Sequence, residues 1–188
     1  MNTFRFFCVA VTLAACTVVS APAFANDADV QVAFSPDGGG EALVLATIQS
    51  ARQSIRLLAY SFTAAPVVRA LIAAKRRGVD VAVTVDYRNN IEEDRSGKAR
   101  AALGALVNAR IPVTVVGAYP ILHSKFIEID DSTVQTGSYN YSRQATSNAE
   151  NVMVLRGHPD IARAYLSNWN DVTARGQRYS APVVRHIF

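Results

Sequence analysis

The sequence has 188 residues, half of them hydrophobic, and a formal net charge of +4. This length and composition suit one globular domain with a hydrophobic core. The sequence contains no low-complexity segment, internal repeat or interdomain linker that would indicate a repeat or multidomain protein. The modest excess of basic residues permits an anionic partner without requiring one.

Residues 1–25 have the features of a secretory signal peptide. Arg5 precedes the apolar run "FFCVAVTLAACTVVS", and "APAFA" ends in the small-x-small pattern of a cleavage site, which predicts a cut after Ala25. Two alternatives stay open: a retained membrane anchor, for which the run is short, and a lipoprotein lipidated at Cys16. The leading prediction is a periplasmic or secreted protein with no stable membrane span once the signal is removed.

The predicted mature domain covers residues 26–188. Both cysteines, Cys8 and Cys16, precede it, so it is expected to fold without a disulfide although it is exported. Without Arg5, the only charged residue of the leader, 18 basic residues remain against 15 acidic ones.

Strand and helix signals alternate in the first half of this domain. The predicted elements are strand 30–34, helix 41–54, strand 55–62, helix 64–77 and strand 79–86. Thr63 is predicted to cap the second helix and Gly78 to end it. The β-branched run 79–86 is typical of a buried parallel strand.

The second half continues the alternation. Its predicted elements are helix 97–110, strands 113–117, 122–129, 134–138 and 150–155, and a helix from Pro159. Trp169 recurs at helical spacing with other apolar residues, which predicts a core position. We therefore expect an α/β fold: a mixed, mostly buried β-sheet flanked by helices on both faces.

One strand of this pattern combines polar and apolar residues on a single face. Because strand side chains alternate, His123 and Lys125 are expected to share a face with the isoleucines that follow. A partly desolvated lysine is costly unless it meets an anion or other partners. After a turn, Ser138 and Asn140 bring a hydroxyl and an amide to the neighbouring segment. No second base accompanies the serine, so a serine hydrolase is not indicated.

These residues resemble the HKD signature of the phospholipase D superfamily at every fixed position. The matching residues are His123, Lys125, Asp130, Gly137, Ser138 and Asn140. The segments "AYSFTA", "LIAAKRRGVDV" and "SNAENVMVL" are similar to the small, exported, nonspecific endonucleases of that superfamily that carry one motif per chain. The resemblance covers nearly all of residues 26–188 and implies a single catalytic domain with a phospholipase D-like fold.

The resemblance also implies a mechanism. His123 would attack phosphorus to form a covalent phosphohistidine, while a second histidine protonates the leaving oxygen and then activates water. Lys125, Ser138 and Asn140 would bind the nonbridging oxygens. Glu150 corresponds to the carboxylate that orients the histidine through its other ring nitrogen. Asp130, the remaining acid of the signature, is expected to stabilise a turn or local network.

The mechanism needs two motif histidines and the sequence has one. His158 and His186 lack the lysine two residues later. The resemblance therefore predicts a homodimer in which both copies of His123 meet at the two-fold axis. Three scattered histidines without a cysteine in the mature chain predict no metal site, and no cofactor is implied.

The substrate follows less directly than the reaction. Nucleic acid, DNA and also RNA, is the leading prediction, favoured by the small size, the single motif, the positive charge and the similarity along the whole mature chain. Contacts limited to phosphates would explain cleavage without sequence preference. A phospholipase or cardiolipin-type lipid hydrolase and a silent nucleic-acid-binding module are the alternatives. Arg143 is a candidate for binding neighbouring phosphates. Asp86 and Tyr87 either line a substrate channel or are structural, and the basic run 75–77 either ends a helix or contacts nucleic acid.

Overall fold

A computed structural model of the chain describes residues 29–37 and 39–180. The predicted signal peptide, 1–25, and His186 lie outside the described residues. Nowhere in the described ranges is a helix both long and apolar enough to cross a membrane.

The described residues form eight strands and four α-helices. The strands are β1 Asp29–Ser35, β2 Ser54–Ala59, β3 Asp80–Asp86, β4 Val113–Val116, β5 Phe126–Ile129, β6 Thr133–Gly137, β7 Glu150–Arg156 and β8 Gln177–Arg178. The helices are α1 Gly39–Ser50, α2 Ala65–Arg76, α3 Lys98–Asn108 and α4 Pro159–Thr173. A π-helical turn, Arg88–Glu92, follows β3, and a 3₁₀ turn, Gln144–Thr146, precedes β7.

All eight strands belong to one mixed sheet in the order β1-β7-β6-β5-β2-β3-β4-β8. The three neighbours β2, β3 and β4 are parallel, and every other pairing is antiparallel. The carboxyl ends of β2 and β3 therefore lie beside the amino ends of β5 and β7, along the edge of the sheet that runs across the strand ends. That edge carries the candidate site.

Helices cover both faces of the sheet, which confirms the predicted α/β class. On one face α1, α2 and α3 bury a large core with residues such as Ile48, Leu71 and Leu103, each fully buried. On the other face α4 packs Trp169 and Val172 over Leu58 and Phe126. Trp169 is the predicted core anchor, and its ring nitrogen donates a hydrogen bond to the carbonyl of Leu57 at 3.1 Å.

Two local predictions were wrong. Helix α2 has no side-chain cap, since Ala64 occupies the capping position and the N–H of Thr63 donates to the carbonyl of Tyr141. The motif strand begins at Phe126 rather than at residue 122, so His123 and Lys125 lie on the segment that leads into β5. The isoleucines of β5, Ile127 and Ile129, face the large core instead of the site.

Candidate active site

The motif residues surround one cavity of about 750 Å³ at the sheet edge described above. Its walls come from the segment before β5, the ends of β6 and β7, and the outer side of α4. The motif residues that line it, together with the predicted carboxylate, are His123, Lys125, Gly137, Ser138, Asn140 and Glu150. Residues 15 or more positions apart in the sequence thus converge on one opening, as their spacing predicted.

His123 presents an exposed imidazole against an aromatic ring. Its ring stacks on Tyr60 with centroids 4.7 Å apart and planes tilted by 58°. The preceding residue is held firmly, because the N–H of Leu122 donates to the carboxylate of buried Asp86 at 2.9 Å. Of the two roles open for Asp86, the structure shows the structural one, and the segment carrying His123 is anchored to the end of β3.

Asn90 extends this anchor to the aromatic partner. Its amide nitrogen donates to the carbonyls of Tyr60 at 2.6 Å and Asp86 at 2.8 Å, and its oxygen accepts from the N–H of Phe62 at 2.9 Å. The side chain is fully buried and bonded on both ends. The π-helical turn therefore positions the residue on which His123 rests.

Lys125 is a buried cation at the floor of the cavity. Only 7% of the residue is exposed, its Nζ donates to the carbonyl of His123 at 2.6 Å, and it lies 5.2 Å from the centre of the Tyr60 ring. Burial lowers the pKa of this ammonium, and the negative charge of Glu150 partly opposes that effect. A desolvated ammonium with few partners is suited to bind an anion.

Ser138 is fixed by two hydrogen bonds to the backbone of Asn151 in β7. Its backbone N–H donates to the carbonyl of Asn151 at 3.1 Å, and its Oγ accepts from the N–H of Asn151 at 3.1 Å. Gly137 allows this close approach: its φ is +151°, and a Cβ there would overlap the carbonyl oxygen of Asn151. The motif glycine is needed to bring the serine against β7.

Glu150 differs from the expectation that it contacts His123. Its carboxylate accepts from the Ser138 hydroxyl at 2.6 Å and from the Asn148 amide at 3.0 Å, and no hydrogen bond joins it to His123 within the described chain. The carboxylate of Glu150 therefore orients the hydroxyl of Ser138 in the same chain. Its role in orienting the histidine stays a prediction.

Asn140 lines the same cavity and has a side-chain atom that is not hydrogen-bonded within the described residues. Its side-chain oxygen is buried and has no hydrogen-bond partner among the described residues. Buried polar atoms are nearly always paired, so this oxygen calls for an explanation. Because the oxygen is an acceptor, a phosphate oxygen would bind at the amide nitrogen of the same side chain.

Two predicted site residues lie elsewhere. Asp130 follows the far end of β5, where its carboxylate accepts from the N–H groups of Arg52, Gln53 and Ser54 at 2.7–2.8 Å. These bonds hold the turn after β5 to the loop before β2, which is the structural role expected for Asp130, and the residue does not line the cavity. Arg143 lines a separate cavity beside the 3₁₀ turn.

The remaining histidine of the described chain, His158, is structural. It precedes α4, and its backbone N–H donates to the carbonyl of Ser132 at 2.9 Å. Its ring Nε2 is buried and has no hydrogen-bond partner in the described part of the chain. Within residues 29–37 and 39–180, no group of three or more histidine, cysteine or acidic side chains is arranged to hold a metal ion.

Tyr60 and Asn90 were missed in the sequence. Both follow the carboxyl ends of neighbouring parallel strands, an edge where ligands bind in open α/β sheets, and that position was the available signal. Neither belongs to the motif, and their contacts with the motif segment appear only in the folded chain.

Comparison with known proteins agrees with the fold and the site. The family described as "Cardiolipin synthase, PLD-like domain" matches residues 44–172, more than half of the chain. The chain therefore belongs to the phospholipase D superfamily, as the motif predicted. It is accordingly an enzyme of the class that hydrolyses phosphodiester bonds.

The individual proteins to which the chain is similar carry different names. The crystal structure of Nuc, a phospholipase D family member from Salmonella typhimurium, has 42% sequence identity and a TM-score of 0.78, covering 81% of this chain and 99% of that one. A phospholipase D of Rickettsia bellii is 36% identical over 78% of this chain and 70% of its own length. A mitochondrial cardiolipin hydrolase of Xenopus tropicalis is 30% identical over 65% of this chain and 55% of its own.

Proposed function

We propose that this protein is a nonspecific, metal-independent endonuclease that cleaves DNA and RNA through a phosphohistidine on His123. The observation that carries the proposal is the convergence of His123, Lys125, Ser138 and Asn140 on one open cavity. An imidazole nucleophile beside a buried cation, a hydroxyl and an amide is the donor set that a phosphodiester requires. The similarity to Nuc along 81% of the chain supports the same assignment.

The proposed reaction has two displacements. In the first, a nitrogen of His123 forms a bond to phosphorus, the phosphorus–oxygen ester bond breaks, and the leaving oxygen takes a proton from a second imidazole. In the second, that imidazole takes a proton from water, whose oxygen displaces His123 from phosphorus. Lys125, Ser138 and Asn140 bind the nonbridging oxygens in both steps. The sum is addition of one water across one phosphodiester.

Cleavage of plasmid and single-stranded DNA in excess EDTA tests the nuclease proposal. The protein is expressed from the full chain, and its mass after purification shows whether residues 1–25 are removed, as an exported protein requires. We expect cleavage that EDTA does not abolish and that His123→Ala reduces by at least about 10³-fold. His158→Asn, a change at the histidine outside the cavity, serves as the matched control and should retain activity. Substantial residual cleavage in His123→Ala would refute the nucleophile assignment.

The second imidazole is proposed to be His123 of a second copy in a homodimer. On the sheet face that α4 occupies, α4 packs over β2, β4, β5 and β6. Beyond it, the edge strand β1 exposes an apolar stripe of Val30, Val32 and Phe34, with 54%, 63% and 62% of each residue accessible. Contiguous exposed apolar surface on an edge strand marks an interaction site.

The apolar stripe leads directly to the cavity. Phe34 pairs with Asn151, the residue bonded to Ser138, and the next pair along β1 is Ser35 with Glu150. A second copy seated on the stripe would therefore lie beside the catalytic cavity. Phe34→Asp should yield monomers with little activity in sedimentation and cleavage assays, whereas Gln31→Asp, an exposed change on the other side of β1, should leave the dimer intact.

Mixed dimers test whether the site is shared. When differently tagged wild-type and His123→Ala chains are co-expressed and the hybrid dimer is purified, a shared site predicts almost no cleavage. Two independent sites would leave about half of the wild-type rate. That second result would overturn the shared histidine pair while leaving the nuclease proposal intact.

A lipid phosphodiesterase is the second candidate function. The phospholipase D and cardiolipin hydrolase names of relatives at 36% and 30% identity favour it. A folded dimer that hydrolyses cardiolipin or phosphatidylcholine vesicles, and cleaves neither plasmid nor single-stranded nucleic acid, would establish it in place of the nuclease.

A further inference from the structure

A second cavity, of about 370 Å³, lies on the other side of the motif loop. We call it the hydroxyl cavity, because five hydroxyl side chains line it together with two cations, Lys98 and Arg143. No acidic side chain is among the described residues that line it. Neither Lys98 nor Arg143 forms an ion pair within the described part of the chain. Its lining thus offers positive charge and hydrogen-bond donors together.

The local backbone adds to this positive character. Lys98 is the first residue of α3, whose amino terminus carries a partial positive charge. One carboxylate is close to the cavity: Asp94 accepts a hydrogen bond from the hydroxyl of Ser96 at 3.1 Å. The guanidinium of Arg100 lies 3.8 Å from this carboxylate. The charge of Asp94 is therefore partly balanced by a neighbouring cation.

Two chain segments connect the hydroxyl cavity to the catalytic cavity. Tyr60 stacks on His123, while Ser61, the next residue, lines the hydroxyl cavity. In the motif loop, Asn140 lines the catalytic cavity and Ser142 the hydroxyl cavity. Two residues of extended chain span at most ~7 Å. The two cavities are therefore adjacent.

The connecting segments are also held rigidly to each other. Phe62 and Tyr141 form a β-bridge, and the carbonyl of Tyr141 accepts from the N–H groups of Thr63 at 2.8 Å and Ala64 at 2.9 Å. Both Phe62 and Tyr141 are fully buried. The distance between the two cavities is thus set by buried backbone contacts rather than by side chains in solvent.

We propose that the hydroxyl cavity binds a non-scissile phosphate of a nucleic-acid strand, next to the phosphate held at His123. This inference rests on the proposed nuclease function and names how the substrate is recognised. A polynucleotide carries a phosphate at every nucleotide, so a cationic, hydroxyl-lined cavity beside the reacting one fits the neighbouring position. Contacts of this kind would favour strands over small diesters without reading bases.

Dinucleotides that differ by one phosphate give the sharpest test. TpT contains one phosphodiester, whereas pTpT and TpTp add a neighbouring phosphate on one side or the other. We expect one of the two additions to lower the KM of the wild-type protein by about tenfold. In the double variant Lys98→Gln/Arg143→Gln, the ratio of the KM values for those two substrates should fall to about one. Each single variant should show part of this change.

The control is Lys75→Gln/Arg76→Gln, which removes the same charge at the end of α2, on the opposite edge of the sheet. It should keep the wild-type KM ratio. Persistence of the ratio in the Lys98→Gln/Arg143→Gln variant, or equal loss in the control, would overturn the proposal. A wild-type protein that hydrolyses bis(4-nitrophenyl) phosphate but cleaves neither these nucleotides nor single-stranded DNA would overturn the nuclease function itself, and this inference with it.

A salt series gives an independent measurement. Each phosphate contact on a single strand contributes about −0.7 to the slope of the logarithm of affinity against the logarithm of salt concentration. Oligonucleotide binding measured on the His123→Ala background should lose about 0.7 of this slope, the contribution of one phosphate contact, when both cations are replaced by glutamine. An unchanged slope would contradict the assignment.

Discussion

Polar residues of the same motif lie at the two ends of β5, and they differ in how fully their hydrogen-bonding groups are paired. At the far end, Asp130 accepts hydrogen bonds from three successive backbone N–H groups of the loop between α1 and β2. At the near end, the ammonium of Lys125 is buried with a single hydrogen-bond acceptor, and the side-chain oxygen of Asn140 has no partner among the described residues. The hydrogen-bonding capacity of Asp130 is thus saturated by the fold, whereas that of Lys125 and Asn140 is not.

This difference separates stability from chemistry within one signature. Saturated polar groups stabilise the fold, because leaving any of them unpaired after a mutation costs the desolvation of the partner. Unsaturated groups around a cavity cost stability in the empty protein and favour a ligand that completes their bonds. Substitutions at the two ends should therefore affect different measurements.

Among the substitutions that compare the two ends of β5, Lys125→Met should produce the largest change in activity. Removing a cation that binds the nonbridging oxygens is expected to lower kcat by about 10²–10³-fold. The melting temperature should stay constant or rise, since the change removes a buried charge and keeps the apolar stem. Steady-state cleavage and thermal unfolding of the same preparation check both expectations. A variant that loses activity only because it unfolds would contradict the assignment.

Asp130→Asn is the counterpart at the saturated end. Because an amide cannot accept all three N–H bonds as strongly, the free energy of unfolding should fall by about 2 kcal/mol. The kcat of the folded protein should change little. Asp131→Asn is the matched control: it has the same positive φ of 54°, is exposed and should alter unfolding by less than about 0.5 kcal/mol. Denaturant titration measures the difference, and equal effects at the two positions would contradict it.

The repeating pattern of the sequence predicted the elements because hydrophobic periodicity survives folding. Strand 79–86 and helix 97–110 were placed within two residues of β3 and α3 at each end. The motif spacing also predicted the group around the cavity, since a short turn between β5 and β6 returns Ser138 and Asn140 to the side of His123. These inferences needed only local geometry.

The start of β5 shows where local geometry fails. The sequence predicts a strand from Leu122, yet the N–H of Leu122 donates to the carboxylate of Asp86 instead of to a neighbouring strand. That carboxylate comes from 36 residues earlier in the sequence. Likewise, Glu150 bonds to Ser138 because Gly137 brings the serine against β7. Tertiary contacts of this kind leave no mark on periodicity.

Glu128, in the middle of β5, extends the comparison to pH. Both its carboxylate oxygens are buried and have no hydrogen-bond partner within the described ranges. Burial, with the negative charge of Asp131, raises its pKa to about 7. Its ordinary value is 4.5, so the folded protein binds this proton more tightly than the unfolded chain. The stability it contributes is complete below about pH 4.5 and is lost as the pH rises through 7.

Glu128→Gln should remove that dependence. Between pH 5 and 8 the wild-type protein is expected to lose about 3 kcal/mol of unfolding free energy relative to the variant. Denaturant titrations at several pH values measure this loss, with Glu92→Gln, an exposed acid, as the control. A variant that follows the wild-type pH profile would show that Glu128 is not the titrating group.

Glu150→Gln should produce the smallest effect, at the unsaturated end. The charge of Glu150 opposes the lowering of the Lys125 pKa by burial, so its removal lets that pKa fall further. Because the cationic form of Lys125 is the one that binds phosphate oxygens, activity should then be lost at a lower pH on the alkaline side. The pH profile of kcat/KM measures this midpoint, and a shift toward higher pH would contradict the electrostatic coupling. A fall in the plateau rate would instead support the predicted action of Glu150 on His123, since that role affects every pH at which the nucleophile works.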